Sequence, residues 1–408
     1  MPPLTIATAD AALKQIYVPG YMNDVCYKDR PLLAMLPKYE KFGGRNMPIV
    51  LEYGHPAGRS QVFATAQANA TPSLFEDFLL TRVHDYGVAQ VDSETIYAME
   101  GDTYAWVRGM ASQIDGILNQ TARNLHIMAY RNGSGIRGTV LAGTGTATLT
   151  LTNPEDAANF EVGMSIDGCT GAGAPHGTPD TISAINRITG VLTSTLATWP
   201  AAILNGDNLF VEGDYTAAAS VNMVSGLEAW VPTAAPGAGL FFGVNRTFDI
   251  TRLGGLRYNA AALTIEEGLN NAANLVAAHG GKPSHVFMNF TNYNDLINSL
   301  GAKSTYQPVQ VYSSHKGTGG VIGFEGVKLI GPKGPITVVP DNACPVDIAY
   351  MLQLDTWVLA SAGPAPRIID TDGNRYLRVN NADQVEVRVG YFGNIGCKAP
   401  GYNVNIAL

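Results

Sequence analysis

The sequence predicts an α+β fold hung on one long helix, and three observations carry that prediction. Between Asp102 and Asn132 the apolar residues Val107, Met110, Ala111, Ile114, Leu118, Ala122, Leu125 and Met128 recur at steps of three and four, one face of a helix. After residue 137 the pattern changes to short alternating runs such as Ala147–Thr152, the period of strands. Beyond Leu263 helical and strand periods mix again.

Composition narrows the class. A chain of 408 residues can bury a large core and divide into roughly two to four domains. Charged residues are only 15% and apolar ones 46%, so much of the surface is neutral or covered by other subunits. The 45 glycines favour sheets and tight turns over bundles. A formal charge of −8 is the wrong sign for wrapping nucleic acid through its phosphates. Met1-Pro2-Pro3 opens no signal peptide, and no apolar run reaches the roughly 18 residues that span a bilayer. Cys26, Cys169, Cys344 and Cys397 are far apart and read as reduced thiols of a cytoplasmic protein.

Residues 1–44 read as an arm, with apolar clusters at Ile16–Val18 and Leu32–Leu36 between Pro19, Pro31 and Pro37. Such a segment more often lies along a neighbour than folds alone. Residues 45–95 read as an extended hairpin, with strands Asn46–Glu52 and Phe78–Asp92 and a polar tip from Gly54 to Thr71. A long ribbon is marginally stable and needs a partner surface, unless it folds back on its own domain. Residues 96–136 hold the long helix, with Asp102 suited to cap its start and Asn132–Gly133 to end it. At 1.5 Å per residue it runs about 45 Å, longer than a small domain is wide.

Residues 137–215 read as a small β-sandwich or barrel inserted in a loop, with Ile182–Ile188 and Val191–Thr195 flanking a turn and Leu209–Val211 following Asn205–Asp207. Residues 216–365 carry helices Leu263–His279 and Thr291–Leu300 and strands His285–Met288, Val327–Ile330, Ile336–Val339, Ile348–Leu354 and Thr356–Ala360. Residues 366–408 hold Arg367–Ile369 and Tyr376–Val379 around the hairpin turn Asp370–Asn374, then the strand Gln384–Tyr391. Together these last portions predict a helix-backed, mostly antiparallel sheet.

Catalytic and cofactor signatures are missing. The seven histidines form no HExxH or HxxxH, and His126 on the long helix reads as a packed or interfacial residue. Gly143 and Gly145 lack the third glycine of a dinucleotide fingerprint, and Gly280–Pro283 ends a helix where a phosphate loop would begin one. Asp370–Asn374 lacks the downstream glutamate of a calcium loop and reads as a turn. No enzyme, cofactor or metal site is expected. No lysine occurs between Lys41 and Lys282, so arginines such as Arg59, Arg82, Arg108, Arg123 and Arg131 carry the positive charge there. Their forked geometry suits interfaces.

Arm, hairpin, long helix, inserted β-domain and helix-backed sheet, in that order, resemble the major capsid protein of tailed bacteriophages. Gly226–Ala229, Phe242–Arg246, Ala278–Gly281, His285–Asn289, Arg388–Asn394 and Ala399–Pro400 are similar to that family in order and character. The resemblance implies an extended loop, a spine helix in a peripheral domain, and an axial-domain sheet that closes copies into pentamers and hexamers of an icosahedral head. It implies a structural protein of the virion capsid, assembled in the host bacterial cytoplasm, with packaged double-stranded DNA inside and not specifically bound. Each hairpin is expected to lie over a neighbour, burying Phe63, Phe75 and Phe78, with Arg59 and Arg82 pairing acids. The implied partners are other copies, a portal, a possible cement or decoration protein and a separate scaffolding protein, because only some forty residues precede the hairpin; no membrane partner is expected. The lysine-free hairpin also lacks the donor for the lysine–asparagine crosslink that some members form. The alternatives are an encapsulin-type compartment shell, which generally lacks an inserted β-domain, and a β-rich surface binding protein, which the long helix argues against.

Overall fold

The computed structural model describes residues 29–95, 103–216, 222–301, 327–370, 373–380 and 382–408. The first arm cluster, Ile16–Val18, and the expected helix cap, Asp102, lie outside them. Within them the chain is α+β: two six-stranded sheets, a closed barrel, a long two-stranded ribbon and a short one, Leu240–Phe241 with Val244–Asn245.

The first sheet is organised by the strand Gln384–Cys397, which pairs antiparallel with Val83–Asp92 and with Trp357–Ser361. The long helix Thr103–Tyr130, 28 residues or about 42 Å at 1.5 Å per residue, packs against this sheet. Gly87 permits the approach, since a Cβ there would stand 2.8 Å from Ile117 Cγ1 and Thr121 Oγ1. The helix is one-sided only in its middle: Asp115 and Gly116 are exposed, whereas Asn124–Tyr130 are buried on every face. There the core closes around it, and Gly226 is required because a Cβ would meet the Ala129 carbonyl at 2.2 Å.

The second sheet runs Leu256–Asn259, Val404–Ala407, Ile348–Leu352, His285–Met288, Gly334–Pro340, Val327–Gly331. Three of its five pairings are antiparallel. The helices Ile265–Ala278 and Phe290–Gly301 back it through Leu269, Ala273, Val276 and Leu296. Thr264 and Glu267 form a reciprocal capping box at the start of the first. Buried polar groups tie the two bodies together. Asp341 accepts from Tyr130 Oη at 2.7 Å, pairs with His126 Nε2 at 2.9 Å and accepts from the Ala343 amide at 3.0 Å. Asn403 Oδ1 accepts from the Trp357 indole at 2.9 Å.

The barrel closes in the order Asn208–Val211, Gly138–Ala142, Thr148–Leu151, Val191–Ser194, Asp180–Asn186, Ser165–Cys169. Leu149, Leu151, Phe160, Ile182, Leu192 and Trp199 fill its interior.

Several expectations are corrected. The strand expected from Phe78 to Asp92 is two strands, Leu74–Thr81 and Val83–Asp92, which belong to different sheets. Trp357–Ser361 joins the first sheet, not the one formed by the strands before it. Arg367–Ile368 and Leu377–Arg378 each pair with Gln384–Cys397 and not with one another. The described end of the arm does not lie free for a neighbour: Leu32, Leu33, Leu36 and Phe42 sit in the core of their own chain.

Candidate subunit interface

The ribbon pairs Asn46–Gly54 with Leu74–Thr81, opposing Pro48 to Leu79, Val50 to Asp77 and Glu52 to Phe75. Strand alternation then divides it into two faces. Ile49, Phe78 and Leu80 point inward and are buried, whereas Pro48, Val50, Glu52, Phe75, Asp77 and Leu79 are exposed.

The inward face is bolted to the body by aromatic rings. Phe78 meets Trp230 edge-on with centroids 5.1 Å apart, and Trp230 meets Phe241 at 5.0 Å. The Trp230 indole donates to the Ile395 carbonyl at 2.8 Å, and the Leu79 amide donates to the Phe242 carbonyl at 2.9 Å. Arg246 lies over the Phe241 ring at 4.2 Å and donates to the Ala229 carbonyl at 2.8 Å. Burial, with the nearby Arg257 charge adding to it, pulls its pKa down to about 10. Further out, Arg252 donates to the Tyr53 carbonyl at 2.5 Å.

The tip carries a short helix, Phe63–Ala68, within the stretch expected to be a plain polar loop. It is closed by the Ala57 amide donating to Thr71 Oγ1 at 2.8 Å. Gly58 passes so close to Ala70 that a Cβ would lie 2.8 Å from its Cα. An ordered tip presents Val62 and Phe63 outward, with Phe63 81% exposed.

The five residues expected to mediate subunit contact therefore separate. Arg59, Phe63 and Phe75 are exposed on tip and stem, with Phe75 58% exposed. Phe78 is corrected: it is 0% exposed and packs within its own chain, because its parity on the strand is opposite to that of Phe75. Arg82 occupies the break between the two strands, where it donates to the Phe42 carbonyl at 3.1 Å and stacks 5.3 Å over the Phe42 ring. Val50, Val62, Leu74 and Leu79 are exposed apolar residues of this surface that sequence reasoning missed. Strand alternation around Phe75 was the signal for Val50 and Leu79. Burying a side chain of this size stabilises by roughly 1.5–3 kcal/mol, so the cluster favours a covered state.

A second polar system holds the barrel on the long helix. Arg123 donates to Glu161 and to the Ala158 carbonyl, and Arg187 reaches the other Glu161 oxygen at 2.7 Å. Arg131 donates to Asp156 at 2.8 Å. Arg137, 3% exposed, donates to Asn124 at 2.7 Å, the Asn159 carbonyl at 3.1 Å and Asp214 at 3.3 Å. Asn124 also donates to Asp85 at 2.5 Å. Burial raises the Asp85 pKa to about 6, against the Asn124 bond that lowers it; the Asp214 charge raises it further and Arg137 lowers it. Burial raises Asp214 as well, opposed by Arg137.

Among the described residues no group of three or more His, Cys, Asp or Glu side chains is placed to hold a metal, and no helix is long and apolar enough to cross a membrane.

No family model matches the sequence, and no curated protein matches it. Solved structures do. A chain of the cyanophage A-1(L) capsid matches over 99% of both chains with 14% identity and a TM-score of 0.60. The capsid of an empty GTA particle matches over 99% of this chain and 98% of its own at 8% identity, with a TM-score of 0.49. The holo-SrpI encapsulin complex of Synechococcus elongatus PCC 7942 matches over 100% and 96% at 7% identity and a TM-score of 0.44. The last two are too distant to argue from. The first, end to end on both chains, establishes that this protein has the fold of a phage capsid chain.

Proposed function

We propose that this protein is the major capsid protein of a tailed bacteriophage, a structural protein without catalysis. Copies join as pentamers and hexamers into an icosahedral head around double-stranded DNA, assembled in the host bacterial cytoplasm. One observation carries the reading: a ribbon anchored on one face exposes an apolar outer face, Val50, Phe63, Phe75 and Leu79, on a chain that has a capsid fold. On this reading that face lies over a neighbouring copy, with Arg59 and Arg82 available to acids there. The second sheet and its helices act as the axial domain, and the long helix is the spine of the peripheral one. A separate scaffolding protein, a portal and a cement or decoration protein are the expected partners. The formal charge of −8 keeps packaged DNA from adhering to the wall.

Negative-stain electron microscopy of the chain, expressed alone and with its genomic neighbours, tests this. Closed shells, or rings of five and six copies, are the expected result. A uniform monomer under every condition would overturn the proposal.

A further inference from the structure

The barrel is joined to the body by two linkers, residues 131–137 entering from the long helix and residues 212–216 leaving after Asn208–Val211. The linkers touch: a Cβ on Gly135 would lie 2.7 Å from the Asp214 carbonyl oxygen. Gly135 and Gly213 hold φ values of +92° and +88°, a region that suits glycine and strains other residues. Two such glycines where the linkers meet form a pivot for the barrel.

Polar groups hold the pivot shut. Arg123 and Arg187 meet Glu161, Arg131 meets Asp156, and Arg137 meets Asp214. Two further carboxylates stand beside these pairs. Glu228 lies next to Arg131 and is attracted by it. Asp85, on the strand Val83–Asp92, has only neutral hydrogen-bond donors among the described residues, Asn124 Nδ2 at 2.5 Å and the Tyr86 amide. The joint therefore holds one carboxylate more than it has guanidinium groups, and its charge balances when one of them carries a proton. Asp85 is that one, because its carboxylate neighbour Asp214 repels it and Arg137 reaches it only through Asn124, which donates to Asp85 and accepts from Arg137 at 2.7 Å.

The groups that face Asp85 come from every side of the joint: Tyr391 on the paired strand, Asn124 on the long helix, Arg137 on the entering linker and Asp214 on the leaving one. Tyr391 is 1% exposed, and burial keeps its hydroxyl protonated. That hydroxyl and Arg137 Nε are buried without a hydrogen-bond partner among the described residues, a cost that opening the joint to water relieves. Ionising Asp85 places a second negative charge beside Asp214, where Arg137 can neutralise only one. In an opened joint water solvates Asp85 instead, so a proton on Asp85 favours docking and its loss favours opening. A pKa of about 6 puts the change just below neutrality.

We propose that Asp85, Asn124, Arg137 and Asp214 form a proton-operated latch, which docks the barrel on the long helix in acid and lets it swing on Gly135 and Gly213 at neutral pH. Amide exchange of the unassembled full chain at pH 5 and pH 7.5, corrected for the intrinsic effect of pH, tests it. Residues 131–137 and 212–216 should lose protection roughly tenfold at the higher pH. The strand Gln384–Cys397 and the interior strands of the barrel should keep theirs. Asp85→Asn, neutral and of the same shape, should hold the linkers protected at both pH values, and Glu228→Gln should respond as wild type does. Wild-type linkers equally protected at both pH values overturn the proposal. So does a loss that persists in Asp85→Asn, vanishes in Glu228→Gln or spreads to Gln384–Cys397. Should Asp85→Asn fail to fold, the wild-type profile decides: a response centred near pH 6 is expected, and one centred elsewhere overturns the latch. The shell reading stands or falls separately, since no particle enters this test.

Discussion

Asp85 sits on the face of Val83–Asp92 that meets the long helix, with Asn124 as its donor and Asp214 as a like-charged neighbour. Its folded pKa, about 6, lies above the ordinary carboxylate value of 3.8. The sign follows from linkage: the stability this group contributes is fully present below about pH 4 and is lost as pH rises through 6. Free subunits should therefore lose on the order of 2–3 kcal/mol from this group between pH 4 and pH 7. Asp85→Asn should remove that part of the slope, measured as the difference between wild-type and variant denaturation midpoints at each pH. Equal pH dependence in both proteins contradicts the assignment. Two neighbouring phenylalanines make a second contrast at this scale. Phe78→Ala empties a fully buried site against Trp230 and should cost about 3–5 kcal/mol of subunit stability. Phe75→Ala, on the exposed face, should change subunit stability by less than about 0.5 kcal/mol. Urea denaturation of unassembled protein separates the two.

At the scale of elements, the barrel depends on its arginine clamp. Arg137→Ala leaves Asp214 and Asn159 without their buried donor and should cost about 3–5 kcal/mol at the joint. Faster amide exchange at Arg131–Arg137, with the interior strands of the barrel still protected, is the expected signature. Exchange unchanged throughout would mean that the clamp contributes little. How far the elements were legible depended on whether their signals were local. The long helix was readable from its three- and four-residue steps, and Ile265–Ala278 from its periodicity and closing glycines. The break at Arg82 was present but subtle: buried positions run Phe78 and Leu80, then Val83, Ala89 and Val91, so parity flips across one residue. The change of sheet for Trp357–Ser361 had no local signal, because its partner, Gln384–Cys397, lies later in the chain and only tertiary pairing reveals it. Leu32, Leu33 and Leu36 read as an arm for the same reason: what buries them is distant in sequence.

For the whole molecule, the central claim is that a marginal two-stranded ribbon is anchored through one face so that the other face can hold a second copy. The anchor is the stack of Phe78, Trp230 and Phe241, and the open face is Val50, Phe75 and Leu79 with Phe63 at the tip. Of the residues expected at the contact, the exposure of Phe63 and Phe75 was recoverable from the sequence because a ribbon tip and stem are exposed by topology. Phe78 was not, because choosing the buried face requires knowing where Trp230 packs. The most direct measurement is sedimentation velocity of wild type and Phe75→Asp under the same assembly conditions. The account predicts shells or capsomer rings for wild type, and folded monomers of unchanged melting temperature for the variant. Assembly of Phe75→Asp to wild-type extent would contradict it.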